Sequence, residues 1–364
     1  MKWVITRIRP CLSYQEVIGA LKAGGDLSNI HRFESDLARF VGAKYAIATD
    51  KGRIALLIAL RAIGIGAGDE VLIPALTCGA VADAILYLKA RPVLVDIDSK
   101  TYTIDANNLR KASSPKTKCV IPIHLYGQPC EMDEINEVAE DLNLRIIEDC
   151  AQALGAEYKG RRVGGIGDAA FFSFGFDKNL TTGDGGMFVT NRHDLYENAL
   201  KAMKQNYFGE SLHGRYSLLK LLLHYRLTDR RFYGFSRYLY KIYGALRYIE
   251  SQFRSNHMDE IKHSLMFMDP FRAGLGLSQL GKIEMINEKR IRNALFLSSQ
   301  LKDCEYLSIP YVPPYTKNVF LRYTALLNED SFTMRRRDAM EFFARNGFEV
   351  TAAAYSKPLH LSHP

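Results

Sequence analysis

The sequence predicts an α/β protein: a mostly parallel central sheet sandwiched by helices, followed by a smaller C-terminal α/β unit. Two observations predict it. Short apolar runs alternate with amphipathic or Ala/Leu-rich stretches of about ten residues through the first half of the chain. Turn residues such as Gly64 and Gly66 punctuate that alternation. Strands separated by whole helices pair in parallel, because a parallel partner needs a crossover rather than a tight hairpin.

The elements follow in order. Phe33 to Val41 reads as a helix and Tyr45 to Thr49 as a strand. Ile54 to Ile63 is an Ala/Leu-rich helix, followed by a strand from Asp69 to Pro74, a helix from Ala80 to Lys89 and a strand from Pro92 to Asp96. The rhythm continues with strand Cys119 to Ile123, helix Met132 to Leu142 and strand Arg145 to Asp149. Ala169 to Phe174 and Met187 to Thr190 supply two more strands. Beyond Tyr207 the pattern stops. Residues 207–262 form a basic, aromatic insertion of helical character, and Gly274 to Leu301 reads as one long amphipathic helix. Three units are therefore expected: 1–206 as a large domain, 207–262 as the insertion, and 263–364 as the long helix with a small domain.

The bulk composition narrows the class. With 364 residues, 47% hydrophobic and 24% charged, the chain has the make-up of a globular protein with a sizeable core. The formal charge of +8 is concentrated: residues 211–254 hold nine Lys/Arg against two Asp/Glu, which leaves the remainder close to neutral. That distribution opposes a nucleic-acid-binding body and marks one basic segment. The six cysteines are scattered, with no CxxC pair, so neither a disulfide framework nor a metal site is expected. No leader-like apolar stretch opens the chain and no run reaches the roughly 18 apolar residues of a spanning helix, so a reducing cytoplasm is the expected location.

In open α/β sheets ligands sit beyond the carboxyl ends of the strands. Thr77, His124, Asp149 and Ser173 all fall at or just after such ends, and a shared pocket is expected there. Three local features stand out: Asp149 closing an apolar strand ahead of Gln152; Lys178 and Asn179 in the loop before Thr181-Thr-Gly-Asp-Gly-Gly186; and Asp50-Lys-Gly-Arg53 opening the Ala/Leu helix. Pyridoxal phosphate (PLP) chemistry needs this set of parts. A lysine amine forms a Schiff base with the cofactor. A carboxylate keeps the pyridine nitrogen protonated, so that the ring draws electrons. Backbone N–H groups at a helix start, with hydroxyls or a cation, hold the phosphate. Lys178, Asp149 and the Gly52–Arg53 helix start can fill those roles, with Ser173 adding a phosphate contact.

Order and spacing carry the argument further. Ile8-Arg-Pro10, Phe33 to Tyr45, Gly64 to Val71, Pro92 to Asp98, Pro122 to Gln128, Glu148 to Gly155, Gly167 to Phe174 and Lys178 to Gly186 occur in one series. In this series the chain resembles, nearly end to end, the DegT/StrS family of PLP-dependent sugar aminotransferases of fold type I. The resemblance implies that Lys178 binds the cofactor and shuttles a proton, that Asp149 pairs with the pyridinium, that Gln152 lies against the cofactor and that Ser173 binds phosphate. It further implies a homodimer, and amino transfer from an amino acid, commonly glutamate, to a keto-sugar, typically nucleotide-linked. Family members with His in place of this Lys catalyse dehydration or deoxygenation, so a dehydratase or isomerase, or a regulator that keeps the fold, are the competing readings.

The chain departs from the family pattern at several points. Its phosphate loop reads Lys51-Gly-Arg53 where Ser-Gly-Thr is usual, so Arg53 either contacts phosphate by its charged fork or points to solvent. Cys78 stands where an aromatic residue usually covers the PLP ring; it either packs on the ring or is a small buried hydrophobe. An Asn that usually reaches the neighbouring subunit's phosphate is missing around Ser264 to Phe267. Within the insertion, Leu239, Ile242, Leu246, Ile249 and Phe253 share one helical face, which either packs on protein, meets an anionic membrane surface or closes over a diphosphate. The chain stops at Pro364, where relatives usually continue, so the small domain is expected to be incomplete.

Overall fold

The computed structural model describes residues 11–22, 25–205, 214–227, 229, 266–328, 336–346, 350 and 359. Seven strands form the central sheet: β1 (Tyr45–Thr49), β2 (Glu70–Pro74), β3 (Arg91–Val95), β4 (Thr117–Val120), β5 (Arg145–Asp149), β8 (Ala169–Ser173) and β9 (Gly186–Thr190). Their spatial order is β1-β9-β8-β5-β4-β2-β3. The pairs among β2, β3, β4, β5 and β8 are parallel, whereas β9 runs antiparallel to both neighbours. The expected mostly parallel sheet is thus observed. Two short strands, β6 (Glu157–Tyr158) and β7 (Arg161–Arg162), form a hairpin outside it.

Helices cover both faces because the strand side chains alternate. On one face Ile47, Ile147, Phe171 and Phe188 pack with α3 (Gly52–Ala62), α4 (Gly79–Tyr87) and α7 (His193–Gln205). On the other, Ala46, Ala48, Ala170, Phe172 and Met187 meet α2 (Ser28–Val41) and α9 (Pro270–Leu280). Nearer the β3 edge, Leu72, Val95, Val120 and Ile146 pack with α5 (Ala106–Ala112) and α6 (Met132–Asp141). Helix α3 is apolar all round, and Ile54 through Leu60 are wholly buried. Each such Leu or Ile contributes about 1.5–3 kcal/mol by leaving water. This helix is anchored centrally, so its first turn is a fixed point for the site.

Three expectations change. Gly274 to Leu301 is not one helix: α9 ends at Leu280, and α10 (Ile283–Leu301) begins after Gly281 and Lys282. The helical pattern carries across the break and hides it. Helix α9 also starts earlier than expected, because Asp269 caps it by accepting from the Arg272 N–H at 3.1 Å and Pro270 follows in the first turn. Helix α5 was not expected; it is short and polar, started by Asp105 accepting from the Asn107 N–H at 2.9 Å.

Beyond α10 the described chain holds β10 (Leu307–Ser308) paired with β12 (Leu326–Leu327), then α11 (Arg336–Arg345). Strand β11 (Thr316–Lys317) returns to pair with β6. Ahead of α2 lies α1 (Tyr14–Lys22). Within the basic segment, α8 (Gly214–Leu227) is helical as expected. The helical face from Leu239 to Phe253 lies outside the described residues, as do Ser264 and Leu265. Among the described residues no helix is long and apolar enough to cross a membrane.

Candidate active site

The site is built where β5, β8 and β9 meet the start of α3. Strand periodicity places its parts. Asp149 and Ser173 share a face with Ile147 and Phe171, the face on which α3 lies, while Glu148 points the opposite way. Asp149 is buried at 6% exposure, and its Oδ1 accepts the Ala151 N–H at 2.9 Å. Burial pushes this carboxyl up to about 6, against the pull of that N–H, of the Lys178 charge and of the neighbouring His124 ring. A buried carboxylate of this kind is poised to take a cationic partner.

Lys178 follows β8 on a tightly tied loop. Its N–H donates to Gly175 O at 3.2 Å, Thr182 N–H donates to Phe174 O at 3.0 Å, and Phe174 N–H donates to Gly185 O at 2.9 Å. The next residue, Asn179, donates from Nδ2 to Asn287 Oδ1 at 2.8 Å, and Asn287 Nδ2 donates to Leu154 O at 2.8 Å. The lysine amine lies 3.8 Å from Asp177 Oδ1, and Asp177 Oδ2 accepts from Arg322 at 2.9 Å.

The helix start forms a close backbone cradle. A Cβ on Gly52 would stand 2.7 Å from Ser173 Cβ and 2.9 Å from its Oγ. A Cβ on Gly186 would stand 2.6 Å from Gly52 Cα. Only glycines allow these three segments to meet. Lys51, in extended conformation before the helix, caps it with no side-chain bond. The first-turn amides and the helix dipole would therefore favour an anion beside Ser173.

Gln152 is held by its Oε1, which accepts the Tyr126 N–H at 3.1 Å. Arg53 is half-buried. Cys78 precedes α4 and is exposed in the single chain.

His124 does not open into the pocket. It is wholly buried, its Nδ1 accepts the Cys130 N–H at 3.0 Å, and its Nε2–H therefore points to Glu148 Oε2 at 3.2 Å. Glu148 accepts three further backbone donors, from Gly164 (2.8 Å), Ile166 (2.8 Å) and Gly167 (2.7 Å). His124, Glu148 and Cys150 bring their ligand atoms within 4.8 Å of one another. The carboxylate is saturated by donors, which is the arrangement of a structural brace. Sequence reasoning passed over Glu148, although a second acid inside an apolar strand was a signal. It also passed over Asn287 and Arg322, which reach the lysine loop from far along the chain and leave no local trace.

The parts fit PLP: an amine on a braced loop, a buried carboxylate on the same side of the sheet, and an anion cradle between glycines. The fold and these parts define a PLP-dependent enzyme of fold type I. The family model for the DegT/DnrJ/EryC1/StrS aminotransferases matches residues 16–231 and 238–364, and the chain belongs to that family. An uncharacterised protein of Methanocaldococcus jannaschii is 32% identical over 366 residues, covering 98% of this chain and 84% of that one. GDP-perosamine synthase of Caulobacter vibrioides is 51% identical over 166 residues, 46% of this chain and 45% of its own. Among solved structures, DesV of S. venezuelae in complex with a ketimine intermediate superposes with a TM-score of 0.74 at 28% identity, covering 96% of this chain and 81% of that one. The chain is accordingly a PLP-dependent aminotransferase.

Proposed function

We propose that this aminotransferase moves an amino group from an amino acid, glutamate in the simplest case, to a nucleotide-linked keto-sugar destined for a surface polysaccharide or a secondary metabolite. The carrying observation is the buried Asp149 carboxyl at the end of β5 with the Lys178 amine on a tied loop nearby, close enough for the lysine's charge to act on that carboxyl. The kinship with GDP-perosamine synthase supports the sugar half of the reading.

Bound PLP supplies an electron sink next to the substrate carbon. In our reading Asp149 holds a proton on the ring nitrogen, where a buried carboxylate gains most from a cationic neighbour. Lys178 would hold the cofactor, and its amine would move the proton at the substrate Cα. Gly52 and Arg53 at the start of α3, with the Ser173 hydroxyl, hold the phosphate. Gln152, fixed by the Tyr126 N–H, sets the plane of the ring, and Cys78 packs beside it. The assembly in this reading is a homodimer. The division into 1–206, 207–262 and 263–364, and peripheral membrane contact through 211–254, remain part of the proposal.

The test is spectroscopic. Purified protein with PLP shows a visible band that is lost in Lys178→Ala, and L-glutamate bleaches that band in the unmodified protein. Absence of any band in protein loaded with PLP would sink the assignment. A band that responds to amino acids while no keto-sugar nucleotide is aminated would instead favour the regulatory reading.

A further inference from the structure

Asp177 is a side chain whose position the assigned roles leave unexplained. Its two oxygens face two different cations: Oδ1 lies 3.8 Å from the Lys178 amine, and Oδ2 accepts from Arg322 at 2.9 Å. A carboxylate thus bridges the reactive amine and a guanidinium. An α-amino acid carries its own amine and carboxylate at nearly that spacing, about 3 Å from N to the nearer O.

Arg322 is built to hold a second ligand. Its side chain is mostly buried, at 24% exposure, and its Nε is buried with no partner among the described residues. Its backbone N–H reaches Tyr126 O at 3.4 Å, which ties it to the loop that fixes Gln152. Arg322 also lines a crevice with Tyr102, Tyr126, Gln128, Asn318 and Phe320. Three of those residues hold left-handed backbone, with φ of 61° at Tyr102, 60° at Tyr126 and 45° at Phe320. Such conformations in bulky residues persist where surrounding structure enforces them, and they gather at ligand clamps.

We propose that Arg322 binds the α-carboxylate of the amino-acid donor, and that the Asp177 carboxylate occupies that position between turnovers. This rests on the aminotransferase reading and names the residue that selects the donor. A donor whose amine sat where the Lys178 amine now lies would bring its carboxylate to where Asp177 now bridges. The guanidinium fork accepts it in place of Asp177 or beside it, through the free Nε. An amine without a carboxylate gains nothing from this contact.

The experiment follows bleaching of the visible band of the cofactor-loaded protein at increasing L-glutamate, L-alanine or ethylamine. In Arg322→Gln the half-saturating concentration of both amino acids rises at least ten-fold, while that of ethylamine stays at the wild-type value. Arg322→Lys, which keeps the charge and loses the fork, falls between. Asp177→Asn removes the competing carboxylate and lowers the half-saturating amino-acid concentration several-fold. Calorimetric titration with glutarate, a dicarboxylate with no amine, gives a non-kinetic measure: its affinity drops at least ten-fold in Arg322→Gln. Equal losses for ethylamine and the amino acids would show that Arg322 only braces the lysine loop, and would overturn the proposal. An unchanged response to amino acids would overturn it as well. Wild-type protein whose band responds to ethylamine and to no amino acid would remove the aminotransferase reading itself.

Discussion

Asn179 and Asn287 join through a single side-chain hydrogen bond of 2.8 Å, and this bond ties the residue after Lys178 to helix α10. The second amide group of the pair reaches Leu154 O, so one buried side chain braces both the lysine loop and the segment after Gln152. Replacing Asn287 by Ala strands a buried N–H and a buried carbonyl. A stranded buried group costs about 1–3 kcal/mol. The expected outcome is a loss of that size in urea denaturation, with slower attachment of PLP measured by the rise of the visible band.

Asp149 sets a pH dependence whose sign can be worked out. Burial raises its folded pKa to about 6 from an ordinary value of 3.8. A raised carboxyl binds more protons folded than unfolded, so its contribution is present below the unfolded pKa and lost as pH rises through about 6. The full difference over that window is about 3 kcal/mol. In protein stripped of cofactor, stability from pH 4 to pH 7 therefore falls further in wild type than in Asp149→Asn, read by chemical denaturation at each pH. A parallel fall in the two proteins would contradict the assignment of the raised group.

The cradle at Gly52 predicts a local defect with two readouts. An Ala Cβ there would press on Ser173 Cβ at 2.7 Å, closer than real side-chain contacts allow. Overpacking of this kind costs about 1–3 kcal/mol. Gly52→Ala is expected to lower the thermal midpoint and to weaken PLP binding at least ten-fold in equilibrium dialysis. Ser173→Ala, which removes a hydroxyl and adds no bulk, weakens PLP binding without the loss in thermal midpoint.

Glu148 should behave as a brace. Burial opposes its charge, yet the His124 N–H and the Gly164 and Gly167 amides hold its carboxyl below the usual range. A depressed carboxyl stabilises above its unfolded pKa and loses that contribution as pH falls through its folded value. Glu148→Ala leaves three backbone N–H groups and a histidine without an acceptor. The expected cost exceeds about 3 kcal/mol at pH 7 by chemical denaturation. Glu148→Gln is also costly, since its amide nitrogen must face a donor.

The sheet was legible in the sequence because its strands are buried on both sides and read as continuous apolar runs, as in Val71-Leu-Ile73 and Ile146-Ile147. The reversal of β9 was not, since an apolar run carries no mark of direction. The break at Gly281 and Lys282 was masked by helical periodicity on either side of it. At the site, Asp149, Ser173 and Gly52 could be singled out because each sits at an element boundary, and Lys178 because it stands just ahead of the Thr181-Thr-Gly-Asp-Gly-Gly186 run. The second tier of residues could not. Asn287 and Arg322 act from more than a hundred positions away, and only the folded chain brings them to the lysine loop.

The reversal of β9 has a mechanical consequence. Ser173, the last residue of β8, pairs directly with Gly186, the first of β9. The chain from 174 to 185 therefore leaves and re-enters the sheet at one rung, so the lysine hangs on a closed clasp. Any swing of the Lys178 amine would be contained within that clasp. The rung itself would stay shut, and the close contact of Gly52 with Ser173 and Gly186 need not register the movement.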